Sequence, residues 1–134
     1  MNRFATRWGP PLLWAAAVFV ASSRPTLPQL PSVLGWDKLQ HSAAYAVGGL
    51  LLARALGRGG RGALLAVVLG SLYGASDEVH QLFVRNRSSD PMDWIADTLG
   101  VLAGVVIWQL VRNHTARRAS RRATPDVRAA ATNP

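Results

Sequence analysis

Cysteine is absent from this 134-residue chain, which excludes a disulfide framework and any metal site built on thiolates. Charge is scarce as well: 16% of residues are charged against 49% hydrophobic, and the mean hydropathy is +0.13. That balance leaves too little polar surface to clothe a soluble domain of this length, so a membrane protein is expected. Also missing are a His-Glu-x-x-His zinc helix, a nucleophile elbow and a glycine loop of the kind that cradles phosphate. No internal repeat is present. A net charge of +8 ordinarily points to nucleic acid or an anionic surface, but the arginines are not gathered on a soluble module. They lie between and after the apolar runs, and nucleic acid is not an expected partner.

Four apolar runs can be read, over residues 8–23, 39–56, 62–83 and 91–111, the first short for a span and the others near the ~20 residues a bilayer requires. The first follows Arg3 and Arg7 and has Pro10 and Pro11 in its first turn, where missing N–H groups do no harm. A cleavable signal peptide is the alternative for this run, since a basic start and "VASS" suit one. Between runs, "RPTLPQLPSVLGW" (24–36) carries prolines 25, 28 and 31 and is expected to be extended. "GRGGRG" (57–62) reads as a tight turn and "VRNRSSDP" (84–91) as a short polar loop. The segment 113–134 reads as a basic disordered cytoplasmic tail, with an interfacial helix bearing Arg117, Arg118, Arg121 and Arg122 as the alternative.

If all four runs span, the N-terminus, the 57–62 turn and the tail share one side, which carries eleven arginines. The other side holds only Arg24, Lys38, Arg85 and Arg87. This bias predicts an all-α, four-helix transmembrane bundle in the bacterial cytoplasmic membrane with both termini cytoplasmic. Asp37, Lys38, His41, Asp77, Glu78, His80, Gln81, Arg87, Asp93 and Asp97 then fall at one level near the outer interface.

Local helix chemistry accounts for some of these residues. Asp37 with Gln40 forms a capping-box pattern, and Asp90-Pro91-x-Asp93 places a cap, a first-turn proline and an acid at the positive end of a helix. Snorkelling to lipid phosphates is an alternative for Lys38 and Arg87, and an aromatic belt for Trp36, Tyr45 and Trp94. Others resist so plain a reading. Residues 37, 41 and 45 form a stripe one turn apart; Tyr73, Asp77, His80 and Gln81 share one helical face; Asp97 lies a turn deeper than Asp93, with Gly100 and Gly104 continuing its face. Ionisable groups at such depth cost roughly 2.5–3.5 kcal/mol each on insertion scales, so they are expected to face the bundle interior and pair. Asp97 is expected to point at the third helix, with Arg87 as its cation and Lys38 or a protonated His80 next. Gly70 and Gly74, with Gly100 and Gly104, make two small-residue faces for close packing of the third and fourth helices; a homodimer contact is the alternative.

Three ordered blocks, "DKLQHSAAY" (37–45), "YGASDEVHQLFVRNR" (73–87) and "DWIADTLGVLAG" (93–104), resemble the pattern of the VanZ-like membrane proteins over about residues 36–108. The resemblance carries over to Asp37, Lys38, His41, Tyr45, Asp77, Glu78, Gln81, Arg87, Asp93, Asp97, Gly100 and Gly104, and His80 also fits. It implies a small envelope membrane protein, in a family named for a member that lowers susceptibility to the lipoglycopeptide teicoplanin.

The expected role is non-enzymatic: an outer polar cluster that binds a lipid head group, a lipid-linked precursor or a lipoglycopeptide, with membrane lipids as partners. The alternative is a small intramembrane enzyme acting on a phospholipid or lipid-linked cell-wall precursor, with Asp77, Glu78, His80 and Asp97 as acid–base or metal-binding groups. A network neutralised by the protein's own cations is favoured over a metal centre, and no cofactor is expected. The orientation is checked with single cysteines: in intact cells, Ser32→Cys and Ser89→Cys should react with a membrane-impermeant thiol reagent and Ser120→Cys should not. Labelling at Ser120 alone would reverse the topology.

Overall fold

The side chain of Asn2 accepts a hydrogen bond from the Phe4 amide at 3.1 Å, and this cap starts helix α1 (Arg3–Ser22) five residues ahead of the apolar run. Pro10 and Pro11 therefore sit in the helix interior, not its first turn. Pro10 cannot donate to the Thr6 carbonyl, and Arg54 of the second helix donates to that oxygen instead, at 3.3 Å. Arg7 similarly donates to the Ala55 carbonyl. The computed structural model describes residues 2–25, 36–57 and 59–123; the extended linker expected at 24–36 lies mostly outside them, as does the chain from 124. Among the described residues there are four helices and no strand: α1, α2 (Trp36–Leu56), α3 (Gly60–Gln81) and α4 (Pro91–Ala123). Gly57 and Gly59 turn the chain between α2 and α3 with positive φ, 89° and 107°, a conformation glycine adopts without steric cost.

α4 corrects the reading of the tail. Residues 113–123 continue the helix rather than disorder, because their alanines and arginines are good helix formers and neither proline nor glycine interrupts them.

The tightest packing is between α2 and α4. A methyl group at Gly100 would overlap the Ser42 carbonyl, one at Gly104 the Ala46 carbonyl, and one at Gly49 the Val101 carbonyl. The levels of contact rise together along both chains, so α2 and α4 run parallel at backbone contact. This differs from the expected pairing of glycine faces: Gly100 and Gly104 turn toward α2, while Gly70 and Gly74 of α3 receive Val101 and Asp97 of α4. Both faces are used within the chain. α3 lies against α2 and α4, and α1 packs on α2 and α3, with no backbone approach to α4 among the described residues. Trp14 seats α1 on Gly48 and donates to the Ala44 carbonyl at 2.9 Å, while Tyr73 of α3 donates to the Ala15 carbonyl at 2.6 Å.

Burial is inverted relative to a soluble protein. Along α3 the buried positions are Gly62, Ala66, Gly70, Gly74, Asp77, Glu78 and Gln81, whereas Leu64, Leu65, Val68, Leu69, Leu72 and Val79 are exposed. Carboxylates inside and leucines outside is the arrangement lipid favours and water does not. α3 and the 91–121 stretch of α4 are long and apolar enough to cross a bilayer. α1 and α2 do not reach that hydropathy: α2 opens on Asp37, Lys38, Gln40 and His41 and ends near Arg54, and α1 carries Arg3 and Arg7.

The α2–α4 contact predicts a graded response in thermal unfolding of the detergent-solubilised protein. Gly104→Ala and Gly100→Ala should each destabilise by about 1–3 kcal/mol through overpacking. Gly9→Ala, where a methyl meets nothing within 4 Å, should be neutral or slightly stabilising.

Candidate functional site

At the end of the bundle where α2 and α4 begin, the polar residues form two layers. The outer one is built on Lys38, whose Nζ lies 2.6 Å from Asp90 Oδ2, 2.6 Å from Asp93 Oδ1 and 3.3 Å from Asp37 Oδ2. Lys38 therefore ties the start of α2 to the start of α4 and does not snorkel outward. Asp90 also caps α4, accepting from the Met92 amide at 2.9 Å, while its own amide donates to Glu78 Oε2 at 2.7 Å. Asp37 lies within the first turn of α2. Burial works against the Lys38 charge, but its hydrogen bonds to Asp90 and Asp93 outweigh it and hold the ammonium above its ordinary range. Reciprocally, hydrogen bonding from Lys38 holds the Asp90 carboxyl below the usual carboxylate range, and Asp37 is lowered first by the Lys38 amide. By linkage, the carboxylates' contribution to stability is lost only as pH falls below about 4, and that of Lys38 only as pH rises beyond about 10.4.

The inner layer is buried. Asp97, fully buried, accepts from His41 Nδ1 across 3.0 Å; its Cβ and Oδ2 lie against Gly74, so it does turn toward α3. Asp77 Oδ2 accepts from Ser22 Oγ at 2.8 Å and from Gln81 Nε2 at 3.1 Å. Glu78 takes the Asp90 amide through Oε2. Three polar atoms of this layer have no hydrogen-bond partner: Asp97 Oδ2, Glu78 Oε1 and the Tyr45 hydroxyl. One ligand atom each from His41, Glu78 and Asp97 lies within 4.8 Å of the others, and these three residues could hold a metal ion.

Two expected members stand apart. His80 faces α1, with Nε2 3.0 Å from Ser23 Oγ and its ring stacked on Phe19, because position 80 falls on the α1 side of α3. Arg87 does not reach Asp97: its Nη2 donates to the Ala21 carbonyl at 3.4 Å, and its Nε is buried without a partner. His41 supplies the partner instead, since parallel packing of α2 on α4 sets position 41 level with position 97.

A family model described as VanZ/LLP1 matches residues 10–112. The chain belongs to this family. No curated protein and no solved structure matches it. Of the residues in the resemblance blocks of this VanZ/LLP1 chain, Asp37, Lys38 and Asp93 build the outer layer and His41, Tyr45, Asp77, Glu78, Gln81 and Asp97 the inner one, while His80 and Arg87 turn to α1. Ser22 escapes sequence reasoning. It closes the α1 side of the inner layer, and its only signal is a small polar residue ending an apolar run. The sequence marks Asp90 as a cap alone; its link to Glu78 depends on the geometry of the 82–90 loop, where Asn86 adopts a positive φ of 60°.

Substitutions at Asp97 test the inner layer. Asp97→Asn keeps an acceptor for His41 and should unfold close to wild type, whereas Asp97→Leu strands the imidazole and should cost roughly 1–3 kcal/mol, read as a lowered thermal midpoint in detergent. A leucine variant as stable as wild type would remove Asp97 from the network.

Proposed function

We propose that this VanZ/LLP1 chain is a multi-pass protein of the bacterial cytoplasmic membrane, with both termini cytoplasmic, and that its outer end binds the phosphate-bearing head group of a membrane amphiphile without turning it over. The observation that carries the reading is a pocket of about 190 Å³ between α1, α2 and α3, lined by Val18, Ala21, Ser22, Gln40, His41, Ala44, Tyr45, Asp77 and Arg87. One wall is apolar and suits the start of an acyl chain. The lining also includes His41 and Arg87, and the guanidinium of Arg87, whose Nε has no partner, is matched to phosphate oxygens. Size favours a head group: pockets enclosing drug-sized molecules run to roughly 300–1,000 Å³. A lipoglycopeptide such as teicoplanin would meet the site only through one end. The arginine asymmetry supports the orientation, and the exposure of large apolar side chains on all four helices supports the lipid surroundings.

Protein reconstituted with phosphatidylglycerol and phosphatidylcholine should retain the anionic lipid preferentially in native mass spectrometry, and Arg87→Gln should reduce that preference by roughly tenfold, the loss of one charge-assisted phosphate contact. Equal retention by the variant would sink the head-group reading. Lipid extracts from cells with and without the protein provide the second measurement: a species consumed only when the protein is present would replace binding with catalysis.

A further inference from the structure

Asp77, Glu78 and Asp97 are three carboxylates at most 5% exposed, and no lysine or arginine among the described residues forms an ion pair with any of them. Lys38 is committed to the outer layer, and Arg87 is turned to a backbone carbonyl. Asp77 is satisfied by two neutral donors. Glu78 and Asp97 are not: each keeps one buried oxygen, Oε1 and Oδ2, without a hydrogen bond. An unmade bond to a buried carboxylate oxygen is costly, and two such oxygens beside one imidazole describe a donor set awaiting a cation.

We propose that His41, Glu78 and Asp97 bind a divalent first-row transition-metal ion, Zn²⁺ or Mn²⁺, between α2, α3 and α4. The donors come from three helices, and their ligand atoms already lie within 4.8 Å of one another. His41 Nδ1 and Asp97 Oδ1 are 3.0 Å apart, close to the spacing of neighbouring donors on an ion bound at about 2.0–2.2 Å. One imidazole nitrogen with two carboxylates suits Zn²⁺ or Mn²⁺ and disfavours Mg²⁺ and Ca²⁺, which take oxygen alone. The site is supported from outside, because the Asp90 amide holds Glu78 Oε2 and leaves Oε1 for the ion. Tyr45, 2% exposed with its hydroxyl unpartnered, packs beside Asp97 at Gly74. A divalent ion also offsets the charges of Glu78 and Asp97, neither of which pairs with a lysine or arginine among the described residues.

The full chain, purified in detergent without added lipid, is stripped with chelator and exposed to Zn²⁺, Mn²⁺ or Mg²⁺ alone, so the outcome is independent of head-group binding. Elemental analysis should find one Zn²⁺ or Mn²⁺ per chain, with a raised melting temperature, and no retained Mg²⁺. Glu78→Gln and Asp97→Asn should each weaken binding by roughly 10- to 100-fold, while His114→Ala, on the exposed end of α4, should leave it unchanged. If either acid variant fails to fold, the wild-type chain still decides: Mn²⁺ should broaden the His41 imidazole resonances before those of His80 and His114. Uptake of neither ion, uptake of Mg²⁺ alone, binding unaltered in both folded acid variants, or broadening that begins at His80 or His114 would overturn the site.

Discussion

Backbone contact between α2 and α4 is the constraint on which the rest of the structure depends. Side chains at positions 49, 100 and 104 would hold the helices apart; without them the two chains run parallel with carbonyls against Cα atoms. That register lifts Lys38 to Asp90 and Asp93 and His41 to Asp97. A helix separation larger by the thickness of a methyl would leave those polar pairs unmade, and the buried acids would then be too costly to keep in a lipid environment. Packing of small residues and pairing of charged ones are thus the same event viewed at two depths.

The two layers differ in how charge is settled. In the outer layer one ammonium meets three carboxylates at partly exposed positions, where solvent screens the excess negative charge. Deeper in, the acids are held by an imidazole, a hydroxyl, an amide side chain and a backbone N–H. The hydroxyl, the amide side chain and the backbone N–H orient these carboxylates without cancelling them. Glu78 joins the layers, since the amide it grips belongs to the residue that caps α4 and takes Lys38.

Helix existence and the level of the polar cluster were legible in the sequence. An apolar run of bilayer length is helical wherever backbone groups must pair among themselves, and acids at one-turn spacing share a face. The direction of each face was not legible. His80 and Asp77 are three residues apart and share a helical face, and both meet α1, yet Asp77 is buried against Ser22 while His80 stays half-buried on Ser23 and Phe19; that division depends on how close α1 packs. Arg87 lies in the right loop to reach Asp97, but the positive φ at Asn86 and the pull of the Ala21 carbonyl take it to α1. The glycines of α4 are recognisable as a packing face, whereas their choice of α2 over α3 depends on parallel register, which no local pattern encodes. The start of α1 and the end of α4 elude a hydropathy reading because caps and helix propensity set them.

α1 is held entirely by partners that lie later in the chain: Ala44 and Gly48 for Trp14, Ala55 for Arg7, Tyr73 for the Ala15 carbonyl and Asp77 for Ser22. Its backbone does not approach α4 among the described residues. A chain synthesised from its N-terminus must therefore keep α1 waiting, with its proline-interrupted backbone and terminal serines unanswered, until about two further helices have emerged. α1 is made before the helices that lock it, and its docking on α3 through Ser22 is what covers Asp77.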